Sequence, residues 1–481
     1  MLSLTALLSS GTSFAQAPAA IQPTPTTHQL DLMKMETYAF IHFGPNTFQN
    51  KEWGYGDADP SVFNPDTLDC DQWVKTLAAG GMKGVIFTAK HHDGFCLWPS
   101  KFTDYNIKYS PYKDGFGDAV SELDDACQRH DMKLGIYLSP WDRHKASYSK
   151  AGYVEYYKNQ LKELLLTHKN LFEIWFDGAN GGDGYYGGAS ETRQIDRQKY
   201  YDFTTLFSIV NELQPQIVIH SDGGPGNRWV GNEDGVAGQT NWAFLTEANS
   251  IPAGINNYET VLGQGEANGT NFIPAEVDVS IRRPDWFWST TNDYKVLSAE
   301  SLVDIYYTSV GRNSTLLLNV PVNTKGKIAS ADSLALVGFR EIIDRTFKTD
   351  LLKSATVTAS ATRSADFAAA NVVSDEYDTY WATADGQTSG TLTFTFDNAV
   401  EINRFMIQEY IPLGQRVKAF KVEYTTDGST WRDVNCGEST TTVGYKRLLR
   451  FSTVTAKGIR LRITDARGPL CINRVGAYCL K

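Results

Sequence analysis

Leu171-Phe172-Glu173-Ile174-Trp175-Phe176-Asp177-Gly178 is the stretch on which the fold turns. Successive side chains of a strand point to opposite faces. Phe172, Ile174 and Phe176 therefore make one apolar face, while Glu173, Trp175 and Asp177 share the other. Such a strand belongs between a layer of helices and a polar interior, and its C-terminal end presents a carboxylate.

The same construction recurs outward in both directions. Tyr38–Phe43 sets Phe40 and His42 on one parity, and Leu134–Leu138 does so with Gly135, Tyr137 and, just beyond, Ser139. Gly84–Ala89 runs into Lys90-His91-His92-Asp93, and Ile217–Ile219 into His220-Ser221-Asp222. Thr315–Val320 is another run, and weaker ones lie between Gly238 and Ile281. Amphipathic stretches separate them: Asp71–Ala79, Asp118–His130, Tyr153–Thr167 and Asp196–Leu213. Gly80-Gly81 and Gly311 sit where helix C-caps are expected. Strands alternating with helices predict an α/β fold with a parallel sheet. Its extent, residues 28–348, suits a (β/α)8 TIM-like barrel, in which the C-terminal strand ends converge on one active face.

Residues 349–481 change character. β-rich alternation takes over in Leu392–Phe396, Phe405–Glu409, Phe420–Tyr424, Lys446–Phe451 and Gly458–Ile463, with a turn at Asp427-Gly428. An antiparallel β-sandwich is expected there. At the other end, Met1–Ala20 reads as a signal peptide, with a small-residue cleavage site at Ala15-Gln16-Ala17, so export to a periplasmic or extracellular space is expected. The Pro- and Thr-rich segment up to residue 27 reads as a linker without fold of its own.

The composition excludes several functions. A net charge of −10 argues against a nucleic-acid binder, which shows a basic patch or stripe. No apolar run is long enough to span a membrane. The 6 cysteines show no C-x-x-C pair or zinc spacing; Cys471 and Cys479 could bridge, or remain isolated thiols. Phosphate loops and the G-x-S-x-G elbow are absent. His91 and His92, if on an extended segment, point in opposite directions and chelate poorly, so no metal is expected in the active site.

What remains is carboxylate chemistry. Asp177, rigidly held at a strand end before the Gly-rich stretch Gly178–Gly188, suits a nucleophile. A glycosidase needs a second carboxyl, about 5 Å away if it retains configuration. Asp222, Glu233, Glu247, Glu266 and Glu276 are available. Glu233 follows Arg228-Trp229-Val230-Gly231-Asn232, where an aromatic neighbour could desolvate it and raise its pKa, as a proton donor requires.

With these residues in view, the chain resembles the α-L-fucosidases of glycoside hydrolase family 29. The matching stretches are His42-Phe43-Gly44-Pro45-Asn46-Thr47-Phe48, Glu52-Trp53-Gly54, Lys90-His91-His92-Asp93-Gly94-Phe95, Gly135–Asp142 and Trp175-Phe176-Asp177-Gly178. The resemblance implies Asp177 as nucleophile of a retaining mechanism, with His42, His91, His92, Glu52 and Trp53 binding fucose. Tyr137, Trp141, Arg228 and Trp286 are expected to contact substrate beside them. The segments Arg228–Asn232 and Val277–Arg282, with Trp286-Phe287-Trp288, resemble a subfamily selective for α-1,3/1,4-fucosyl branches of Lewis type, which implies Glu233 as acid/base. Arg282-Arg283-Pro284-Asp285 departs from the Arg-Pro-Gly run usual there. Rival readings are a broader fucosidase that also cleaves α-1,2 links, and a glycan-binding protein with an inactive barrel.

Residues 349–481 resemble the galactose-binding, discoidin-like module. Asn371–Trp381, with Asp375, Asp378 and Trp381, resembles its early motif and implies a structural calcium. No cofactor is expected for catalysis, and the implied partners are fucosylated oligosaccharides or glycoconjugates.

Overall fold

The computed structural model describes residues 16–481, so most of the expected leader lies outside the described residues. Parallel strands close into a barrel: β1 (Thr37–Ile41), β2 (Gly84–Lys90), β3 (Lys133–Leu138), β4 (Glu173–Trp175), β5 (Val218–Ser221), β6 (Asn227–Trp229), β7 (Ala275–Ser280) and β8 (Ser314–Asn319). Each pairs with the next, and β8 closes on β1 with Thr37 opposite Leu316. Helices at Cys70–Ala79, Ala119–Arg129 and Tyr153–Thr167 follow the sequence pattern closely. The next starts only at Phe203, because the residues before it fold into a turn in which the Tyr200 amide donates to the Asp196 carbonyl.

Side-chain parity holds as expected. Ile136, Leu138, Ile174 and Phe176 face the helices in the main core, whereas Phe40, Tyr137, Trp175 and Leu317 pack together inside the barrel. One strand escaped the sequence reading. β6 has three residues, and no helix leads into it: only residues 222–226 separate it from its parallel neighbour β5. Parallel neighbours ordinarily need a crossover of about a dozen residues. Here the chain doubles back tightly, and the Gly226 amide donates to the Ile219 carbonyl at 2.9 Å. A Cβ on Gly226 would lie 2.5 Å from the Ile219 amide nitrogen, so only glycine permits the turn.

The C-terminal domain is antiparallel, with the strand order Trp381–Ala382, Cys471–Tyr478, Gly390–Glu409, Arg447–Ala466, Val417–Thr425, Trp431–Asp433. The short runs expected at 392–396 and 405–409 are one bulged strand of 20 residues, and those at 446–451 and 458–463 are another. Bulges bend such strands without breaking them, so both halves share one core that includes Trp381, Leu392, Phe394, Phe405 and Ile463. Cys471 and Cys479 are free thiols.

This domain docks against the start of the barrel strands. Glu36 and Asn313 immediately precede β1 and β8; the former pairs with the Lys446 ammonium, and the latter accepts from the Tyr445 amide at 2.7 Å. Arg312 of the barrel and Arg447 of the second domain share the Glu438 carboxylate, each at 2.9 Å. The N-terminal segment is no free linker, contrary to expectation. The Ile21 amide donates to the Leu413 carbonyl at 3.0 Å, and Arg416 and Arg467 each donate at 2.7 Å, to the Ala19 and Gln22 carbonyls. Proline-rich chain offers carbonyls without competing N–H groups, which the domain's arginines take up. Among the described residues no helix is long and apolar enough to cross a membrane.

Candidate active site

A cavity of about 540 Å³ opens at the C-terminal ends of the strands, a size ordinary for a small-ligand site. His42, Glu52, Trp53, His91, His92, Tyr137, Trp141, Asp177, Glu233 and Trp286 all line it. Every lining residue lies between Phe40 and Trp286, so the C-terminal domain contributes none.

Asp177 is braced rather than free. Its Oδ1 accepts from the Ala179 amide at 2.7 Å, and its Oδ2 from the Tyr137 hydroxyl at 3.1 Å, with His92 Nε2 3.8 Å away. The glycine after it leaves room for Asp222: a Cβ on Gly178 would stand 2.5 Å from that carboxyl and push it aside.

The histidines are fixed in orientation by their partners. Asn319 spends its amide hydrogens on Ser280 Oγ and the Trp286 carbonyl, so its Oδ1 accepts from His42 Nδ1 at 2.8 Å. Ser139 donates to the Trp141 carbonyl and hence accepts from His92 Nδ1 at 2.7 Å. In both rings Nε2 is then an acceptor, suited to a sugar hydroxyl. Burial drives His42 down to about 3, against the upward pull of Asn319. Burial likewise lowers His92, and it takes His91 well below the ordinary range, so all three are neutral. His91 Nδ1 is buried without a protein partner. The expectation that His91 and His92 point apart is overturned: β2 ends at Lys90, a turn begins in which Gly94 N–H donates to the His91 carbonyl, and both rings face the cavity 4.3 Å apart.

Glu52 acts on the loop beside it, accepting from the Trp286 and Phe287 amides at 2.6 and 3.3 Å. Burial raises it to about 7. That grip sets the Trp286 indole 5.0 Å from the His42 ring. Trp53 stands 57% exposed at the rim, edge-on to Trp141 and His92.

The candidate second carboxyls separate cleanly. Glu247 and Glu266 hold surface loops together, through Asn271 and through Thr246 with Asn249. Glu276 is sealed inside the barrel. Asp222 and Glu233 line the cavity. Burial raises Glu233, helped by the Asp177 charge and opposed by Arg283. Burial also raises Asp222 to about 7, and Arg197 opposes it. A raised carboxyl and a braced one on the same cavity are the pattern of an acid–base pair.

Arg228 corrects another expectation. Its guanidinium is wholly buried and donates to the carbonyls of Leu262, Ile273 and Trp242 and to Asn241. All four of these hydrogen bonds lie inside the fold, and Arg228 is not among the residues that line the cavity. Arg197, Trp229, Tyr258 and Asp278 were not singled out as site residues but line the cavity. Trp229 stacks on Tyr258 and donates to Asp278 at 2.8 Å. For Asp278 the signal was available in the alternation Val277-Asp278-Val279-Ser280; for Arg197, in a turn, and Tyr258, at the start of the short helix Tyr258–Gln264, no signal was.

The carboxylate braced just beyond the end of β4 is thus faced by neutral histidine acceptors. The Alpha-L-fucosidase family profile matches residues 26–339. This chain belongs to the α-L-fucosidase family. It is an α-L-fucosidase, a glycoside hydrolase of family 29. The F5/8 type C domain profile matches residues 356–475, the discoidin-like module. Alpha-L-fucosidase 1 of Arabidopsis thaliana is 42% identical over 485 residues, covering 99% of this chain and 92% of that one. A putative α-L-fucosidase from Bacteroides thetaiotaomicron superposes with a TM-score of 0.88 at 40% identity, over 96% of this chain and 99% of the other. A Ruminococcus gnavus GH29 fucosidase, solved in complex with fucose, gives 0.87 at 34% identity, over 98% and 97%.

The calcium implied for this fucosidase's second domain does not fit its residues. Lys353 and Arg474 both hold the Asp375 carboxylate, and Asp378 accepts from the Tyr410 hydroxyl. Both acidic side chains of that motif are therefore already engaged by protein partners.

Proposed function

We propose that this α-L-fucosidase is a retaining exo-enzyme that removes α-1,3/1,4-linked fucose from branched, Lewis-type glycans. The observation that carries the reading is the pairing, on one cavity, of a braced Asp177 with Glu233, whose pKa burial raises. In the first step an Asp177 oxygen bonds to the anomeric carbon as the glycosidic C–O bond breaks, and Glu233 delivers its proton to the leaving oxygen. Glu233 then takes a proton from water, whose oxygen displaces Asp177 and releases fucose with its configuration retained. His42 and His92 accept hydroxyl hydrogens and hold the ring for attack.

The linkage preference rests on the resemblance of the segment leading to Glu233. It is supported by the wall beside that residue, where the Trp229–Tyr258 stack and Arg283 offer a broad polar and aromatic face to a branched leaving sugar. Fucose release from a Lewis-type trisaccharide, 2′-fucosyllactose and an aryl fucoside, measured side by side, tests it. Release mainly from the trisaccharide supports the preference; equal release from all three replaces it with a broad specificity. Export belongs to the same reading, and N-terminal sequencing of the mature protein tests it, with a start near Ala17 expected.

A further inference from the structure

Inside the barrel, under the cavity floor, lies a cluster that the steps above do not use. Glu173, His220 and Glu276 each place one ligand-capable atom within 4.8 Å of the others. Three donors hydrogen-bond Glu276, and His220 Nδ1, which is hydrogen-bonded to Asn227 Oδ1, stands close beside them. Trp175 Nε1 and His220 Nδ1 reach its Oε1 at 2.8 and 3.1 Å, while Asn227 Nδ2 at 2.9 Å and the Tyr38 hydroxyl reach its Oε2. Those hydrogens point at the oxygens a cation would need, so the cluster accommodates a carboxylate rather than an ion. Glu173 is placed differently: Asn227 Nδ2 donates to its Oε1 at 3.0 Å, and its Oε2 is buried with no partner. Two carboxyls this close in a dry interior do not both ionise. The one with three hydrogen-bond donors keeps the charge, and the one with an idle oxygen keeps the proton. Burial, reinforced by Glu276, lifts Glu173 well above the carboxylate range.

The charge is coupled to the site through two rings. His220 Nδ1 faces Asn227 Oδ1 and Glu276 Oε1, both acceptors, so it is the protonated nitrogen. The His220 ring stacks on Trp175 at 4.3 Å, nearly parallel. Both rings line the cavity, and Trp175 lies two residues before Asp177.

We propose that Glu276 is a positioning residue of the fucosidase reaction, whose buried carboxylate fixes the Trp175–His220 stack as the cavity floor and sets a constant negative charge beneath the sugar. It rests on the reading of Asp177 as nucleophile, which locates where positive charge develops on the sugar ring. A fixed charge in a low-dielectric interior acts on that developing charge without reorganising.

The test compares Glu276→Gln, Glu173→Gln and Tyr38→Phe by kcat, KM and melting temperature on an aryl fucoside. Glu276→Gln is expected to lower kcat about 100-fold with KM held within about threefold. Glu173→Gln, which replaces a group already neutral, loses at least about tenfold less. Tyr38→Phe removes one of the three donors and lowers kcat about fivefold. Equal losses in the two glutamine variants, or a Glu276→Gln kcat within threefold of wild type, overturn the proposal. If Glu276→Gln does not fold, an unchanged kcat in Tyr38→Phe overturns it instead. Mass-spectrometric labelling of the wild type by a 2-deoxy-2-fluorofucosyl fluoride tests the nucleophile separately. Label on Asp177 supports that reading whatever the Glu276 variants do, and label elsewhere removes the ground for the charge argument.

Discussion

The two ends of the barrel use the same kinds of side chain to opposite effect. At the mouth, polar groups are left incompletely paired: His91 Nδ1 has no protein partner, and Glu233 stands 41% exposed with its nearest cation 3.7 Å away. At the other end, Arg312, Glu438 and Arg447 are locked together, and Met406, Leu448 and Tyr478 of the second domain join the barrel's own core. Unspent hydrogen-bonding capacity at the mouth is what a sugar can use. At the base, Arg312 and Arg447 also keep a buried Nε without a partner, so the difference lies in access: there the ion pairs are closed off from substrate and hold the strand ends in place. Substitutions at the mouth should therefore change rate and leave stability alone, and those at the base should do the reverse.

The largest effect belongs to Asp177. Asp177→Asn keeps the shape and the acceptor for the Ala179 amide, turns the atom facing the Tyr137 hydroxyl into a donor and removes the nucleophile, so kcat on any fucoside should fall about 10⁴-fold or more, with a nearly unchanged melting temperature. A parallel loss of melting temperature would break the contrast between the two ends.

Glu233→Ala comes next. For a poor leaving group it should cost about 10³-fold in kcat, for an activated aryl fucoside far less, and azide should restore turnover of the latter. The pH profile sharpens this. Glu233 must carry a proton in the first step, so kcat/KM falls as pH rises through its raised folded value, and that limb should vanish in Glu233→Ala. If it survives, Asp222, raised to about 7, is the group responsible.

Much of this contrast was legible in the sequence, for identifiable reasons. Strand parity placed Phe40, His42, Tyr137, Trp175 and Asp177 inside, because a one-residue slip would have turned apolar Ile136 and Phe176 into the polar interior. β6 was not legible, since periodicity needs a longer run than three residues and its tight entry depends on close approach at Gly226. Arg228 was misread because a sequence shows that an arginine is present, not that four acceptors from distant segments have already claimed it. The histidine pair was misread for a related reason: the strand end at Lys90 decides where two adjacent rings point, and no local signal marks it.

At the base, Glu438→Ala should leave Arg312 and Arg447 buried without their shared carboxylate. Breaking a buried ion pair by removing one partner costs about 3 kcal/mol, read as a lower urea midpoint, while kcat on an aryl fucoside stays at the wild-type value. A fall in kcat before any unfolding would mean that the domain contact shapes the mouth as well as supporting the strands.

The smallest effect expected is at the rim, where the two behaviours meet. Trp53 is 57% exposed and makes only edge contacts, with Trp141 and His92 at 5.6 Å each. It buries too little to matter for stability, and it carries no group that moves a proton. Its exposed indole offers a face to the apolar side of a sugar, which is worth about 1 kcal/mol in such a setting. Trp53→Ala should therefore raise KM about fivefold with kcat little changed, and the rise should be greater for an oligosaccharide than for free-standing aryl fucosides if the ring serves the leaving sugar. Equal rises for both would assign Trp53 to the fucose itself, drawing the boundary between fucose pocket and leaving-group wall outside the Trp53–Trp141 pair rather than through it.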